Sequence, residues 1–321
     1  MKRLALFLAV LLLVCLSTTY SRSVQQQDFS KVEIKSTLAA GNIHMLEGAG
    51  GNIAVSVGRD GALMVDDQFL PLADKIRAEL KKLGEGKLKY VLNTHWHGDH
   101  TGGNQAFGQE ATIVAQENVR RRLAAGQMLL GDKIPPARQE ALPVITYNAS
   151  MNFYFNGEEV HVVHYPHGHT DGDSVIFFTG SNVAHLGDDF FAGRFPFVDL
   201  ESGGSVEGLT KNIAEIIRVL PAGVKIIPGH GPLSTIEDLR LYHRMLVETT
   251  NIVRKGMAAG KSLEQIKKEG LPEEWKTWGT GFIKTEQWIE TIYRSFSTGA
   301  GKGAKNHSHS HASGSYIYHG H

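Results

Sequence analysis

The stretch Thr94-His95-Trp96-His97-Gly98-Asp99-His100 places three histidines and one carboxylate within six residues. Imidazole nitrogens and carboxylate oxygens are ligands that zinc accepts at about 2.0–2.2 Å. The apolar run 88–92 before it is predicted to be a buried strand, and the glycines after it indicate a turn. The cluster is therefore expected on a loop at the end of a strand, where His95 and His97 could point to one metal while Asp99 and His100 reach a second.

Three further candidate ligands come directly after predicted strands. His169 lies in the glycine-rich segment 166–172, Asp188 follows Gly187, and His230 lies between two glycines. A single loop histidine or a Gly-Asp turn is more often structural than catalytic, and a histidine-rich surface turn is the alternative for the first cluster. Together the candidates suffice for two metals that share Asp188. One site would use His95, His97 and His169, and the other Asp99, His100 and His230.

In this order the motifs resemble those of the metallo-β-lactamase superfamily. The resemblance covers roughly residues 40–245 and is carried by His95-Trp96-His97-Gly98-Asp99-His100, Gly168-His169-Thr170, Gly187-Asp188 and Gly229-His230-Gly231. It implies an α/β fold, a four-layer αββα sandwich, with two zinc ions per chain at one edge and the ligand roles given above. It also implies that Asp66, after the predicted strand 62–65, is the family's buried aspartate beside the ligands. A plain turn aspartate is the alternative, and the neighbouring Asp67 competes for the assignment.

The expected reaction follows from the chemistry of zinc. Two zinc ions about 3.5–4 Å apart can hold a hydroxide between them at neutral pH and polarise the bond that it attacks. This metal-bridging hydroxide would attack a carbonyl or phosphoryl centre without any serine or cysteine nucleophile. Asp99 is the predicted catalytic residue, because it would orient the hydroxide and later help to protonate the leaving group.

Other residues near the motifs have weaker signals. His164, His167 and His185 are interpreted as packing residues or neighbours of the ligands, and His185 is the one expected to hydrogen-bond a ligand. The phenylalanine-rich segment 189–204 could line a substrate pocket with Arg194 as an anion clamp, or form a packed aromatic loop.

The composition favours a small-molecule substrate over nucleic acid. The chain has 321 residues, and its 33 Lys and Arg residues balance 33 Asp and Glu residues, so no global field attracts nucleic acid. At 41% hydrophobic residues the chain is long enough for a large core. Nothing in the sequence gives the oligomeric state.

Both ends of the chain differ in composition from the middle. Lys2 and Arg3, the apolar run 4–16 and the polar segment 17–23 predict a signal peptide over 1–23, with an uncleaved anchor as the alternative. We therefore expect a periplasmic or secreted protein without stable membrane insertion. The only cysteine, Cys15, would be removed, which leaves no disulfide or thiolate ligand. The hydrolase domain would span 24–298, followed by a His-, Gly- and Ser-rich tail over 299–321 that captures metal or is merely disordered.

Local patterns predict how the motifs are connected. A helix is expected over 71–83, a second over 116–130, and a mobile connection over 131–142. The pair Asn156-Gly157 between two alternating runs predicts a β-hairpin.

These features favour an exported, binuclear zinc hydrolase that acts on an ester, lactone or amide-type carbonyl. A periplasmic β-lactamase is the alternative, although no cysteine lies near Asp188 and a bridging aspartate is typical of the superfamily's other hydrolases. A glyoxalase II or a tRNA-processing nuclease would normally lack a signal peptide. A zinc-storage protein without turnover is a further alternative, suggested by the histidine-rich tail.

Overall fold

The computed structural model describes residues 28–297. The predicted signal peptide 1–23 with Cys15, and the histidine-rich tail 299–321, lie outside the described residues. Within 28–297, no helix combines the length and the apolar character that a membrane crossing requires.

The strands form two large sheets and one small hairpin. One sheet has the order β1-β2-β3-β4-β5-β6-β9, the second has the order β10-β11-β12-β13-β14-β15, and β7 pairs with β8. Strands β4, β5, β6 and β9 run parallel, as do β13 and β14. The strands, in chain order, are β1 Lys35–Ala40, β2 Ile43–Glu47, β3 Ile53–Gly58, β4 Gly61–Val65, β5 Leu88–Asn93, β6 Thr112–Gln116, β7 Gln127–Leu129, β8 Asp132–Ile134, β9 Ile145–Tyr147, β10 Ser150–Phe155, β11 Glu158–His164, β12 Ser174–Phe178, β13 Val183–His185, β14 Lys225–Ile227 and β15 Ser234–Thr235.

The helices lie mainly between and after the parallel strands. The longest, α6, begins with a capping box in which Thr235 and Asp238 satisfy each other's free backbone N–H groups. The helices, in chain order, are α1 Ala73–Leu83, α2 Gly98–Thr101, α3 Asn104–Phe107, α4 Glu117–Ala125, α5 Val206–Val219, α6 Ile236–Ala258, α7 Leu263–Glu269 and α8 Thr285–Ser297.

The strands alternate their side chains between two apolar layers. In β4, Leu63 and Val65 face the layer between the sheets, where they join Ile176 and Phe178 of β12. The intervening Met64 faces the opposite apolar layer, which is covered by α1. This period of two is what a strand buried on both faces requires.

Helices cover the outer face of each sheet. The helices α5, α6 and α8 bury Leu209, Leu246 and Ile289 against the outer face of the second sheet, while Ile76 of α1 does the same on the first. The layers therefore follow the order helix, sheet, sheet, helix, and the predicted four-layer αββα sandwich is confirmed.

The local predictions have mixed outcomes. The Asn156-Gly157 hairpin is confirmed, with φ of 53° and 86°, and α1 falls within the predicted helix 71–83. The helix predicted over 116–130 is confirmed only in its first part: α4 ends at Ala125, because the φ of 72° at Gly126 cannot continue a helix. The following residues form the β7–β8 hairpin instead of the expected mobile connection.

Candidate metal centre

The seven predicted ligands meet at the edge between the two sheets, at the carboxyl ends of strands. The first group follows β5, His169 lies between β11 and β12, and Asp188 and His230 follow β13 and β14. Their ligand atoms form two clusters, each with all atoms within 4.8 Å of one another: one joins His95, His97, His169 and Asp188, and the other joins Asp99, His100 and His230. The sequence therefore predicted which residues come together and how they divide.

Asp188 lies between the two clusters and turns one oxygen toward each. Its Oδ2 lies 3.8 Å from Nε2 of His95 and 3.5 Å from Nε2 of His169. Its Oδ1 lies 3.0 Å from Nε2 of His100 and 3.4 Å from Nε2 of His230. A carboxylate in this position can contact two cations at once.

Four of the histidines have the ring nitrogen that faces away from the cluster held by a hydrogen bond. Nδ1 of His95 lies 3.0 Å from the Thr94 hydroxyl, and Nδ1 of His169 lies 2.7 Å from the carbonyl oxygen of residue 197. Nε2 of His97 lies 3.0 Å from Oδ2 of Asp199, which leaves its Nδ1 facing the cluster. Such contacts fix the tautomer and the ring orientation of metal-binding histidines.

Asp66 holds the fourth of these histidines and is fully buried. One oxygen lies 2.7 Å from Nδ1 of His100 and accepts the Thr94 hydroxyl, and the other accepts the backbone N–H of Thr94. Asp66 has a φ of 64°, a left-handed conformation that aspartate tolerates better than most residues. It thus anchors both the start and the end of the first histidine motif.

Asp67 does not share this role. Its Oδ1 accepts the backbone N–H of Gly103, away from the ligands. Burial, reinforced by the neighbouring Asp66, raises the pKa of Asp67 well above its usual range. Of the two candidates, Asp66 is therefore the one that contacts a predicted ligand.

Burial and mutual contacts set the charges of the cluster. Burial lowers the pKa of His95 far below its ordinary value and that of His169 to about 4, so both imidazoles are neutral, as metal ligands must be. Burial also opposes ionisation of Asp99, but the nearby His100 and His230 outweigh it and lower the pKa of Asp99 to about 2.

Asp188 also influences the two histidines of the second cluster. Asp188 outweighs the effect of burial and raises the pKa of His230 to about 9, and it raises that of His100 as well. Metal binding at His100 and His230 requires the neutral imidazole, because a protonated imidazole has no free lone pair.

Two glycines allow the chain to approach the ligands closely. A Cβ added to Gly51 would lie 2.1 Å from Cε1 of His100, and one added to Gly229 would lie 2.1 Å from Oδ1 of Asp188. Any larger residue at either position would displace a predicted ligand.

The residues present fit a pair of metal ions. Among the described residues, Nε2 of His95, Nε2 of His100 and Oδ1 of Asp188 are buried but make no hydrogen bond of normal geometry. Buried polar atoms are rarely left in this way. Here they converge, and the donor set of imidazoles and carboxylates is one that zinc accepts.

A cavity of about 670 Å³ opens onto this centre. Asp99, Asp188 and His230 lie in its wall, together with Phe191 and Arg194 of the segment after Asp188. Its size is typical of small-molecule sites.

The phenylalanine-rich segment fits both of its sequence interpretations. Phe190 is buried in the core and does not line the cavity. Phe191 and Phe197 line the cavity, and Phe195 does so although it is also buried. Arg194 lines the cavity too, as an anion clamp would.

His185 lies close to the centre but holds backbone rather than a ligand side chain. Its Nε2 lies 3.0 Å from the carbonyl oxygen of Asn52, and its Nδ1 accepts the N–H of Gly187. It therefore positions the turn that carries Asp188. His167 is more remote and contacts the carbonyl oxygen of Gly203.

Sequence reasoning missed two parts of the site. Asp199 contacts His97 across 102 positions of sequence, and no local pattern distinguishes it from other aspartates. The β7–β8 hairpin contributes Leu129, Leu130 and Ile134 to the cavity. The pair Leu130-Gly131 was its only turn signal, and leucine is not a residue that turns favour.

A four-layer αββα sandwich with adjoining His/Asp clusters at one edge defines the class of metallo-β-lactamase-fold proteins. Residues 41–230, more than half of the chain, match the family model described as the metallo-beta-lactamase superfamily. The chain belongs to this superfamily.

Individual relatives are distant. A hydroxyacylglutathione hydrolase of Pelagibacter ubique is 28% identical over 148 residues, which are 44% of this chain and 52% of the relative. The chain thus spans about half the length of these curated relatives, 52% of the first and 48% of a hydroxyacylglutathione hydrolase of Methylococcus capsulatus. Among solved structures, a metallo-beta-lactamase of Pontibacter korlensis has a TM-score of 0.54 at 17% identity and covers 67% of this chain and 99% of its own. The sec-alkyl sulfatase PisA1 has a TM-score of 0.62 at 14% identity, covering 85% of this chain and 52% of its own. These structures share the fold.

Proposed function

We propose that this protein is an exported hydrolase that binds two zinc ions and cleaves an ester, lactone or amide-type carbonyl compound. The observation that carries the proposal is the placement of Asp188, whose two carboxylate oxygens face two separate groups of ligands. His95, His97 and His169 would hold one ion, and Asp99, His100 and His230 the other. The features of residues 1–23 support the export.

Bound zinc would supply a hydroxide nucleophile at neutral pH and polarise the carbonyl group that is attacked. The chain's own residues orient the reaction. Asp99 lines the cavity and is ionised, with its Oδ2 3.3 Å from Nε2 of His230. It can accept a hydrogen bond from the attacking water and pass a proton to the leaving group.

The surroundings of the centre bury most of the predicted ligands and fix their side chains. His95, His100 and His169 are almost completely buried, and Phe191 stacks on His230 with ring centroids 5.0 Å apart. In such a site charges interact more strongly than in water. The fixed ligands also need little reorganisation during the reaction.

Thioesters of glutathione form a second candidate substrate class, because several relatives are hydroxyacylglutathione hydrolases. The presence of a predicted signal peptide argued against this class. β-Lactams remain an alternative that only activity can test.

The test combines metal analysis with a substrate panel. Purified protein should contain about two equivalents of zinc by elemental analysis, the number that the two ligand groups can hold. An aryl ester, a lactone, a hydroxyacylglutathione and nitrocefin are then compared before and after chelation. Chelator-sensitive cleavage of the ester or lactone, with nitrocefin inert, is the expected result. One zinc or none would overturn the binuclear centre, and two zincs without any turnover would favour the storage alternative.

A further inference from the structure

The β7–β8 hairpin covers part of the cavity in front of the metal centre with apolar side chains. Leu129, Leu130 and Ile134 line the cavity, and none of them belongs to a ligand motif. Leu129 also packs against the cluster formed by Trp96, Ala115 and Val119, so the hairpin is connected to the histidine motif itself.

The turn of this hairpin is unusual for its residue type. Leu130 and Gly131 have φ of 53° and 89°, and Asn156 and Gly157 in the β10–β11 hairpin have φ of 53° and 86°. This geometry favours Asn-Gly, because a branched side chain is strained in the left-handed region. Asparagine occupies the β10–β11 turn, where Asn156 is hydrogen-bonded to Asp60 at the edge of the other sheet. Leucine occupies the corresponding position of the β7–β8 turn at the cavity. Strain of this kind often marks a functional position.

A second apolar arm of the cavity rim is formed by Phe197 and Phe282, which lie far from the hairpin in sequence. Phe197 packs beside His97 and His169, with ring centroids 5.6 and 5.8 Å apart, and Phe282 lies 6.4 Å from Phe197. Phe282 is 68% exposed and Leu130 is 65% exposed, although both line the cavity. The hairpin therefore begins at Trp96 within the histidine motif, the second arm begins at His97 and His169, and each ends in an exposed apolar side chain.

Two polar groups within this apolar lining are available to a ligand. Arg194 is half-buried and makes no ion pair or hydrogen bond among the described residues, whereas the cavity's other guanidinium, that of Arg138, faces Glu140. Trp96 is 3% exposed, and its Nε1–H has no hydrogen-bond partner in residues 28–297. A buried donor of this kind costs free energy until a ligand atom satisfies it.

We propose that the substrate is a carbonyl compound with one bulky apolar or aromatic group and one anionic group, the first held between Leu130 and Phe282 and the second by Arg194. This inference rests on the proposed hydrolase function and narrows its substrate class. A glutathione group, which has two carboxylates and an amine, would meet mainly apolar side chains here, and most of its polar atoms would be left unpaired.

The test measures binding to the zinc-loaded protein rather than turnover. Isothermal titration compares 4-phenylbutanesulfonate with 4-phenylbutanol, two probes that share the apolar group and differ in the anion. Wild-type protein should bind the sulfonate more tightly. Arg194→Gln should weaken sulfonate binding about tenfold and leave alcohol binding unchanged, as expected for the loss of one charge-assisted contact.

The variant Leu130→Asn separates substrate binding from folding, because asparagine suits the turn. We expect it to weaken both probes about fivefold, the effect of losing one partly buried apolar contact, without lowering the free energy of unfolding. Leu38→Asn is the matched control: Leu38 is 57% exposed but does not line the cavity, and its replacement should leave both affinities unchanged. Phe282→Ser provides a second variant of the rim, in case Leu130→Asn fails to fold.

Several results would overturn the proposal. Equal affinities for Leu130→Asn, Phe282→Ser and Leu38→Asn would show that the rim does not bind the apolar group. An unchanged preference for the sulfonate in Arg194→Gln would place the anion elsewhere. A wild-type dimer by sedimentation that Leu130→Asn dissociates would make the rim an interface between two copies. Binding as expected without turnover of any panel substrate would instead contradict the hydrolase and retain the pocket.

Discussion

In the candidate metal centre most polar side chains are held by a hydrogen-bond partner. At the rim of the same cavity the side chains are mostly exposed and few of them are held by any partner. His100, for example, is fully buried and held by Asp66 at 2.7 Å. Leu130 and Phe282 at the rim are mostly exposed and rely on apolar contacts alone. The contrast teaches that a network of buried contacts places the predicted ligands, whereas the side chains of the rim make few contacts and can change at little cost to the fold.

The largest effect on zinc content and activity is expected from removing the carboxylate of Asp188, which faces both ligand groups. Asp188→Ala should lose at least one zinc and at least about a hundredfold in activity, because a metal's Lewis-acid contribution amounts to several kcal/mol. Elemental analysis and the substrate panel measure both effects. Asp74→Ala, which removes a 95% exposed carboxylate from α1, is the control. Full zinc occupancy in Asp188→Ala would show that Asp188 is not a bridge.

A second prediction separates Asp66 from Asp67. Asp66→Asn should weaken zinc binding by about 10- to 100-fold, the usual effect of losing a carboxylate behind a histidine ligand. Asparagine tolerates the φ of 64°, so the backbone should be preserved. Asp67→Asn should be well tolerated, because asparagine keeps the Oδ1 that accepts the backbone N–H of Gly103 and burial already disfavours the charged form of Asp67. Competition with a chromogenic chelator measures both affinities, and an equal loss in the two variants would contradict the assignment.

A smaller effect is expected at Asp199. Asp199→Asn keeps the oxygen that accepts the backbone N–H groups of Glu201 and Ser202, but it loses the charge beside His97. We expect zinc affinity to fall about tenfold with little change in the urea midpoint of unfolding. If the midpoint falls and the zinc affinity does not, Asp199 is only a loop cap.

The smallest effect is expected at the rim. Phe282→Ser should change the free energy of unfolding by less than about 0.5 kcal/mol, because the ring is already mostly in solvent. Urea denaturation of the zinc-loaded protein measures it. A loss comparable to that of a buried phenylalanine such as Phe107 would show that the rim is part of the core.

The sequence predicted which candidate ligands lie together, because their chemistry is local and their order is distinctive. Histidines after predicted strands, bounded by glycine, identified His95 to His100, His169, Asp188 and His230 without any knowledge of distance. Asp199 could not be found in this way, because its contact with His97 depends on how two remote loops pack.

The β7–β8 hairpin was missed for a different reason. The apolar spacing of residues 119–130 resembles a helix, and only Gly126 signals the end of α4. The turn itself could not be predicted, because Leu130 adopts a left-handed conformation for which leucine has no preference. Local propensity here opposes the structure, which is the situation expected at positions that serve binding.

The two sheets come from consecutive halves of the chain, 35–147 and 150–235, and each half supplies part of every ligand group. As the ribosome makes the protein, His95 to His100 emerge long before His169, Asp188 and His230. A nascent chain can therefore offer a metal only an incomplete set of donors. Metal ions bound by these two ligand groups would link the two halves of the chain directly.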